Sequence, residues 1–288
     1  MKLTLATPAT PARSTPVFNR RSKTMLTIGL CLACFVAVLI GAAALGDAGL
    51  QSSLRERNLS PALAHPFGTD WLGRDMLTRV VQGLSLSLKV GLLAASVAAV
   101  IGAVLGTLSA TLGGVVDTVI TWIIDVFFSL PHLVLLILIA FAMGGGINGV
   151  IVAVALTHWP SLARIVRAEV LQVRQSDYAQ LSFKFGKSPL WVAWHHMRPH
   201  VIPQFIVGLI LLFPHAILHE AGLSFIGIGI SPNVPAIGVI LSEAMRYLAT
   251  GYWWLGVLPG LMLLILVKTF DVLGENVRHL LDPKTSQD

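Results

Sequence analysis

The side chains in this sequence best suited to metal chemistry are histidines carried on apolar stretches. His215 and His219 are four residues apart. On a helix they share one face, and Glu220 lies about 100° further round, placed as a packing or gating partner and not as a third ligand. His158 and His132 stand in two other apolar runs, and Met143 ends the run that holds His132. Imidazole and thioether groups suit nickel or copper. An imidazole taken alone is more often structural, bonded to a backbone carbonyl or a neighbouring helix; for the pair on one face beside a carboxylate the ligand and structural readings both stand. Even functional histidines on a transit path need to hold a cation only loosely, so no tightly bound metal is expected.

Other candidate chemistry falls away on inspection. Cys31 and Cys34 are the only cysteines, which excludes a disulfide framework; within an apolar helix they read as plain thiols. Gly186-Lys187-Ser188 imitates the end of a phosphate-binding loop, but Leu181 stands where that loop needs its first glycine, and a helix precedes it instead of a strand. No ATP site or other cofactor is therefore expected on this chain. No Ser/His/Asp set, paired carboxylates or HExxH motif occurs, so the sequence does not read as an enzyme.

The elements that carry these residues are membrane spans. Hydrophobic residues make up 55% of the 288 and charged ones 12%, about half the charge of a soluble domain. Six apolar runs can each cross a bilayer: 25–46, 84–112, 119–142, 147–165, 201–225 and 254–277. An all-α, polytopic protein with six transmembrane helices follows, the first being a retained signal-anchor. Asp125 and Asp271 lie within or at the ends of spans and are expected to face the bundle. Of the 20 Lys and Arg residues, only Arg55, Arg57, Arg74, Arg79, Lys89 and Arg246 fall on one side if the N-terminus is cytoplasmic. The positive-inside rule then places both termini and the polar segment 177–199 in the cytoplasm, and accounts for the net charge of +6 without nucleic acid. Residues 1–24 read as a disordered cytoplasmic tail. Ala98, Gly102, Gly106 and Ala110 recur every fourth residue, a stripe that admits a close helix neighbour in a tight bundle or a subunit seam.

Segment 177–199 is a polar island between spans. Tyr178, Leu181 and Phe185 fall on one helical face from Asp177 onward. Gly186 occupies a helix C-terminus, and Ser188-Pro189 provides an N-cap and first-turn proline for a second helix with Trp191, Trp194 and His195. An apolar face on a cytoplasmic helix pair serves to dock a partner.

Asp177-Tyr178-Ala179 through Gly186, with Arg198-Pro199 beyond, resembles the EAA coupling loop of ABC-importer permeases. Residues 65–75 (HPFGTDWLGRD), 223–229 (LSFIGIG), 274–278 (GENVR) and 281–283 (LDP) are similar to blocks of the peptide/nickel branch, in its C-type subunit. The chain departs from the loop pattern at Leu181-Ser182, where two alanines are usual, and at Arg198-Pro199, where Leu-Pro is usual.

The resemblance implies a type I permease fold over residues 25–283 in the bacterial inner membrane. It also implies a second homologous permease, two cytoplasmic ATPase subunits that bind the ATP, and an extracytoplasmic binding protein. Asp177, Tyr178, Leu181, Phe185, Gly186 and Pro199 would couple to the ATPases. Asp70, Arg74 and Asp75 would either receive the binding protein or brace the elbow before the second span. Thr157-His158-Trp159 and the His215/His219 pair look more like the nickel-transporting members, which makes nickel, free or chelated, the expected cargo along His158, His215 and His219. Di- or oligopeptides are the alternative cargo. A self-sufficient secondary transporter is the alternative class, and the docking island argues against it.

Overall fold

The structure is a computed structural model that describes residues 20–281. The expected disordered tail therefore falls largely outside the described residues, as do Asp282, Pro283 and the rest of the C-terminus. Residues 20–24 are not tail but the first turns of helix α1.

Ten named helices make up the described residues. Helix α1 spans Arg20–Leu45, and two single 3₁₀ turns lead through an elbow to α2, Met76–Leu112. Next come α3 (Gly114–Ser129), α4 (His132–Ala142) and α5 (Gly146–Arg174). The island holds α6 (Asp177–Lys184) and α7 (Pro189–Val192). A π-helical turn over Ala193–Met197 joins α7 to α8, Arg198–Phe225. A short helix α9 (Ile237–Leu248) and a last long one, α10 (Trp254–Leu281), close the described chain.

Five helices are long and apolar enough to cross a membrane: α1, α2, α5, the continuous rod Pro189–Phe225, and α10. The sixth expected span is broken. Helices α3 and α4 meet at an angle of 99°, because Pro131 offers no N–H to the ladder and forces Leu130 into an extended conformation (φ −90°, ψ 141°). Irregular backbone at membrane depth is tolerated where protein or a cavity lies beside it. A cavity lies beside this break.

The stripe on α2 packs within the chain. A Cβ at Gly102 would stand 2.8 Å from the carbonyl oxygen of Trp159, and one at Gly106 would stand 2.5 Å from that of Ala163. Helices α2 and α5 thus touch backbone to backbone, which only hydrogen permits. Gly106→Leu is expected to separate the two helices and to lower the yield of folded protein severely, read by size-exclusion chromatography in detergent. A monodisperse wild-type profile would refute this close packing.

Two carboxylates sit differently from expectation. Asp125 and Asp271 do not sit in the interior of this chain; Asp125 is exposed and Asp271 partly so. Asp125 accepts from Arg164 at 2.7 Å and Asp271 from Lys268 at 3.1 Å. A local cation meets each charge without burial. Glu220, by contrast, is fully buried and accepts from Ser87 Oγ at 2.5 Å and Ser224 Oγ at 3.0 Å, a packing role that ties α8 to α2.

Candidate functional site

Three places hold the residues singled out above. On the island, α6 starts at Asp177 after Ser176, and its C-terminus is closed by Gly186 N–H to Phe183 O at 2.9 Å and Lys187 N–H to Ser182 O at 3.1 Å. This closure requires the left-handed backbone that Gly186 adopts (φ +78°). Ser188 Oγ then accepts from Trp191 N–H at 3.3 Å, capping α7 as its sequence implies. Ala179 is buried beneath the pair, whereas Tyr178, Leu181 and Phe185 are 45%, 51% and 77% exposed. Trp194 and Leu190 are exposed as well, but they line a separate groove against α2. Large apolar side chains held outward on a polar segment mark a contact surface.

The second helix is longer than the island. It does not end at Arg198-Pro199; Pro199 sits at the start of α8, directly after the π turn and inside the continuous rod Pro189–Phe225. Trp191 stacks on His195 at 4.0 Å, and Tyr178 meets His196 edge-on at 5.4 Å. The first contact stiffens the base of the rod, and the second binds α6 to it.

The second place is the cavity beside the break. It encloses 420 Å³ between α3, α4, α5 and α8, with Phe127, Leu130, His132, His158, His215 and His219 among its walls. The rings of His132, His158 and His219 stand 4.9–5.0 Å apart, centroid to centroid. His158 is buried and donates from Nδ1 to the carbonyl of Val154 at 2.9 Å. His219 is half-buried, while His132 and His215 sit exposed at the mouth. His215 lies 3.2 Å from Leu211 O through Nδ1. The structure thus brings His158 and His219 together and leaves His215 at the rim. It adds His132, which the helical spacing of the other histidines could not reach. The available signal was Pro131, since a break at mid-span turns the next side chain inward.

The third place is the elbow. Asp70 is 1% exposed and Arg79 3%. Asp70 Oδ1 accepts from the N–H groups of Leu72 and Arg74, both at 2.9 Å, and Oδ2 accepts from Arg74 Nε at 2.7 Å and Arg79 Nη1 at 2.6 Å. Arg79 also donates to Glu243 on α9 at 2.8 Å. Asp75 caps α2, accepting from Thr78 N–H and Oγ at 2.8 Å, and pairs with His65 at 3.1 Å. Asp70 is therefore not available to a docking protein. It is the buried centre of a brace joining the elbow, α2 and α9, because four hydrogen bonds saturate its carboxylate.

Spans, a broken helix at a histidine-lined cavity and an exposed apolar face on a helix pair between spans are the features of a membrane transport subunit. A profile of the family described as "Binding-protein-dependent transport system inner membrane component" matches residues 98–287. The chain is 35% identical to the dipeptide transport system permease protein DppC of Bacillus subtilis (strain 168) over 90% of this chain and 81% of that one. It is also 35% identical to the glutathione transport system permease protein GsiD of Shigella flexneri serotype 5b (strain 8401), over 92% and 88%. Among solved structures, the MetNI methionine ABC transporter in inward-facing conformations aligns with a TM-score of 0.59 at 19% identity, covering 72% of this chain and 98% of that one. An amino acid ABC transporter aligns at 0.55 and 18% identity, covering 71% and 95%.

The chain belongs to the binding-protein-dependent inner-membrane family. It is a multi-pass permease subunit of an ABC importer with the type I fold, works with ATPase and substrate-binding subunits, and is not itself an enzyme. The nickel-specific membership expected from the histidines finds no support among these relatives, which carry dipeptide, peptide and glutathione names.

Proposed function

We propose that this permease carries short peptides or peptide-like solutes of similar size into the cell. The observation that carries this reading is the 420 Å³ cavity at the span break. That volume falls within the range of small-molecule sites, whereas a bare cation fills only a small part of it. Full-length relatives named for dipeptide and glutathione transport support the same choice over nickel as a lone cargo.

In this reading the permease domain of residues 25–283 pairs with a second homologous permease. That partner closes the cavity mouth at His132 and His215. Two ATPase subunits bind the ATP, and closure of those subunits pushes on Tyr178, Leu181 and Phe185. Both termini and the island are cytoplasmic, as the distribution of Lys and Arg favours. The elbow and the loop before α9 face the binding protein. Its contacts then come from exposed loop residues such as Asn233 and from the partly exposed rims of Arg74 and Asp75, not from Asp70.

The test is peptide-stimulated ATP hydrolysis by the reconstituted assembly with its binding protein. A di- or tripeptide library is expected to contain members that raise the rate above the basal level and accumulate in proteoliposomes. Stimulation by amino acids or metal salts alone, with none by any peptide, would overturn the reading.

A further inference from the structure

We propose that His132, His158 and His219 together form a binding site for a divalent first-row transition cation inside the cavity. This deepens the peptide reading and rests on the same cavity. The three residues come from three separate segments: the first residue of α4, the middle of α5 and the outer part of α8. One coordinating nitrogen from each lies within 4.8 Å of the others. An ion at about 2.1 Å from each nitrogen in tetrahedral geometry needs them roughly 3.4 Å apart. Side-chain rotation of the exposed His132 and half-buried His219 closes a gap of that size.

The supporting contacts favour ligation. His158 spends Nδ1 on the Val154 carbonyl, which fixes the ring and leaves Nε2 as its ligand atom, the backing that metal-bound histidines have. The ring nitrogens of His132 and His219 are not taken up by any hydrogen bond to the described residues. Three imidazoles suit cobalt, nickel, copper or zinc. Three protein ligands also leave an open position. Here it faces a cavity with room for the amine and carbonyl of a small peptide, so the cation enters either bare or already held by such a chelator. One ligand stands on the broken span and two on neighbouring helices, so they separate when the span moves, which suits a site that must release what it holds.

The test uses the intact assembly in nanodiscs, titrated with Co²⁺ alone and read by its visible d–d absorption. Wild-type protein is expected to give a saturable tetrahedral spectrum. His132→Ala, at an exposed position that folding does not need, should weaken Co²⁺ binding by about 10–100-fold or more, the range known even for supporting residues. His219→Gln provides a second, polar replacement should the first perturb the break, and thermal melting verifies that both stay folded. A spectrum that shifts on adding diglycine assigns the chelate as ligand; one that does not assigns the bare cation. No saturable spectrum, or one that survives in both variants, would overturn the site. Peptide-stimulated ATP hydrolysis in the same preparation reports the importer reading separately. Cobalt binding can thus fail while peptide stimulation persists, and the converse.

Discussion

Leu181→Asp is expected to leave the permease inserted and folded but to abolish uptake. The residue is 51% exposed on α6 beside Tyr178 and Phe185, so a carboxylate there costs the isolated chain little. The loss appears only on docking. Burying Leu181 against an ATPase contributes about 1.5–3 kcal/mol, and its removal weakens that contact by about 10- to 100-fold; an unpaired charge in the contact adds further cost. Pull-down of ATPase subunits by the variant, set against surface expression, measures this directly. Wild-type recovery of ATPase with normal uptake would remove the apolar face from the coupling path. Gly186→Val should act on the same readout by another cause. A Cβ there meets nothing within 4 Å, so its cost is backbone strain at φ +78°, on the order of 1–3 kcal/mol, which misdirects the turn between α6 and α7.

The second large effect lies at the opposite face. Asp70→Ala removes the carboxylate that holds Arg74 and Arg79, and Arg79 is then left buried with only Glu243 for company. Breaking a buried pair in this way costs about 3–5 kcal/mol, a large part of the total stability of a typical domain. The variant should therefore be recovered poorly and melt far below wild type. Arg74→Glu probes the exposed rim of the same network. If the assembly forms and hydrolyses ATP but no longer responds to the binding protein, Arg74 contributes to docking; collapse of the assembly assigns it to the brace. Normal folding of Asp70→Ala would contradict the network described here.

Much of this architecture was legible before any coordinates. Runs of about 20 apolar residues locate spans because lipid leaves the backbone no alternative to a helix. Gly186 and Ser188-Pro189 announced a turn because each residue type answers a local backbone demand. Local signals cannot carry angles between segments, however. The apolar run 119–142 continues through Pro131 without a change in hydropathy, so the 99° break was hidden although its cause stood in plain view. For the same reason His132 was seen as one histidine among several and not as a member of a cluster. For Asp70 the bracing role stood beside docking in the sequence, but the partners of the brace did not. Its polar, glycine-rich surroundings read as a surface loop, and the residue that completes the brace, Glu243, stands more than 150 positions away in α9.

The rod from Pro189 to Phe225 has a mechanical meaning. It carries Trp191 beside α6 at its base and His219 at the cavity on one continuous helix of 37 residues. Their axial separation is about 42 Å at the helical rise. Along it the hydrogen-bond ladder is loosened at the π turn of 193–197, at Pro199, at Pro203 and at Pro214, the last immediately before His215. A displacement applied at the base is thus not lost in a loop, and the places where the ladder is loosened are where a helix yields first. The stroke reaching the cavity is set by joint stiffness, and an alanine at Pro214 should act as a gear change on transport with neither docking surface altered.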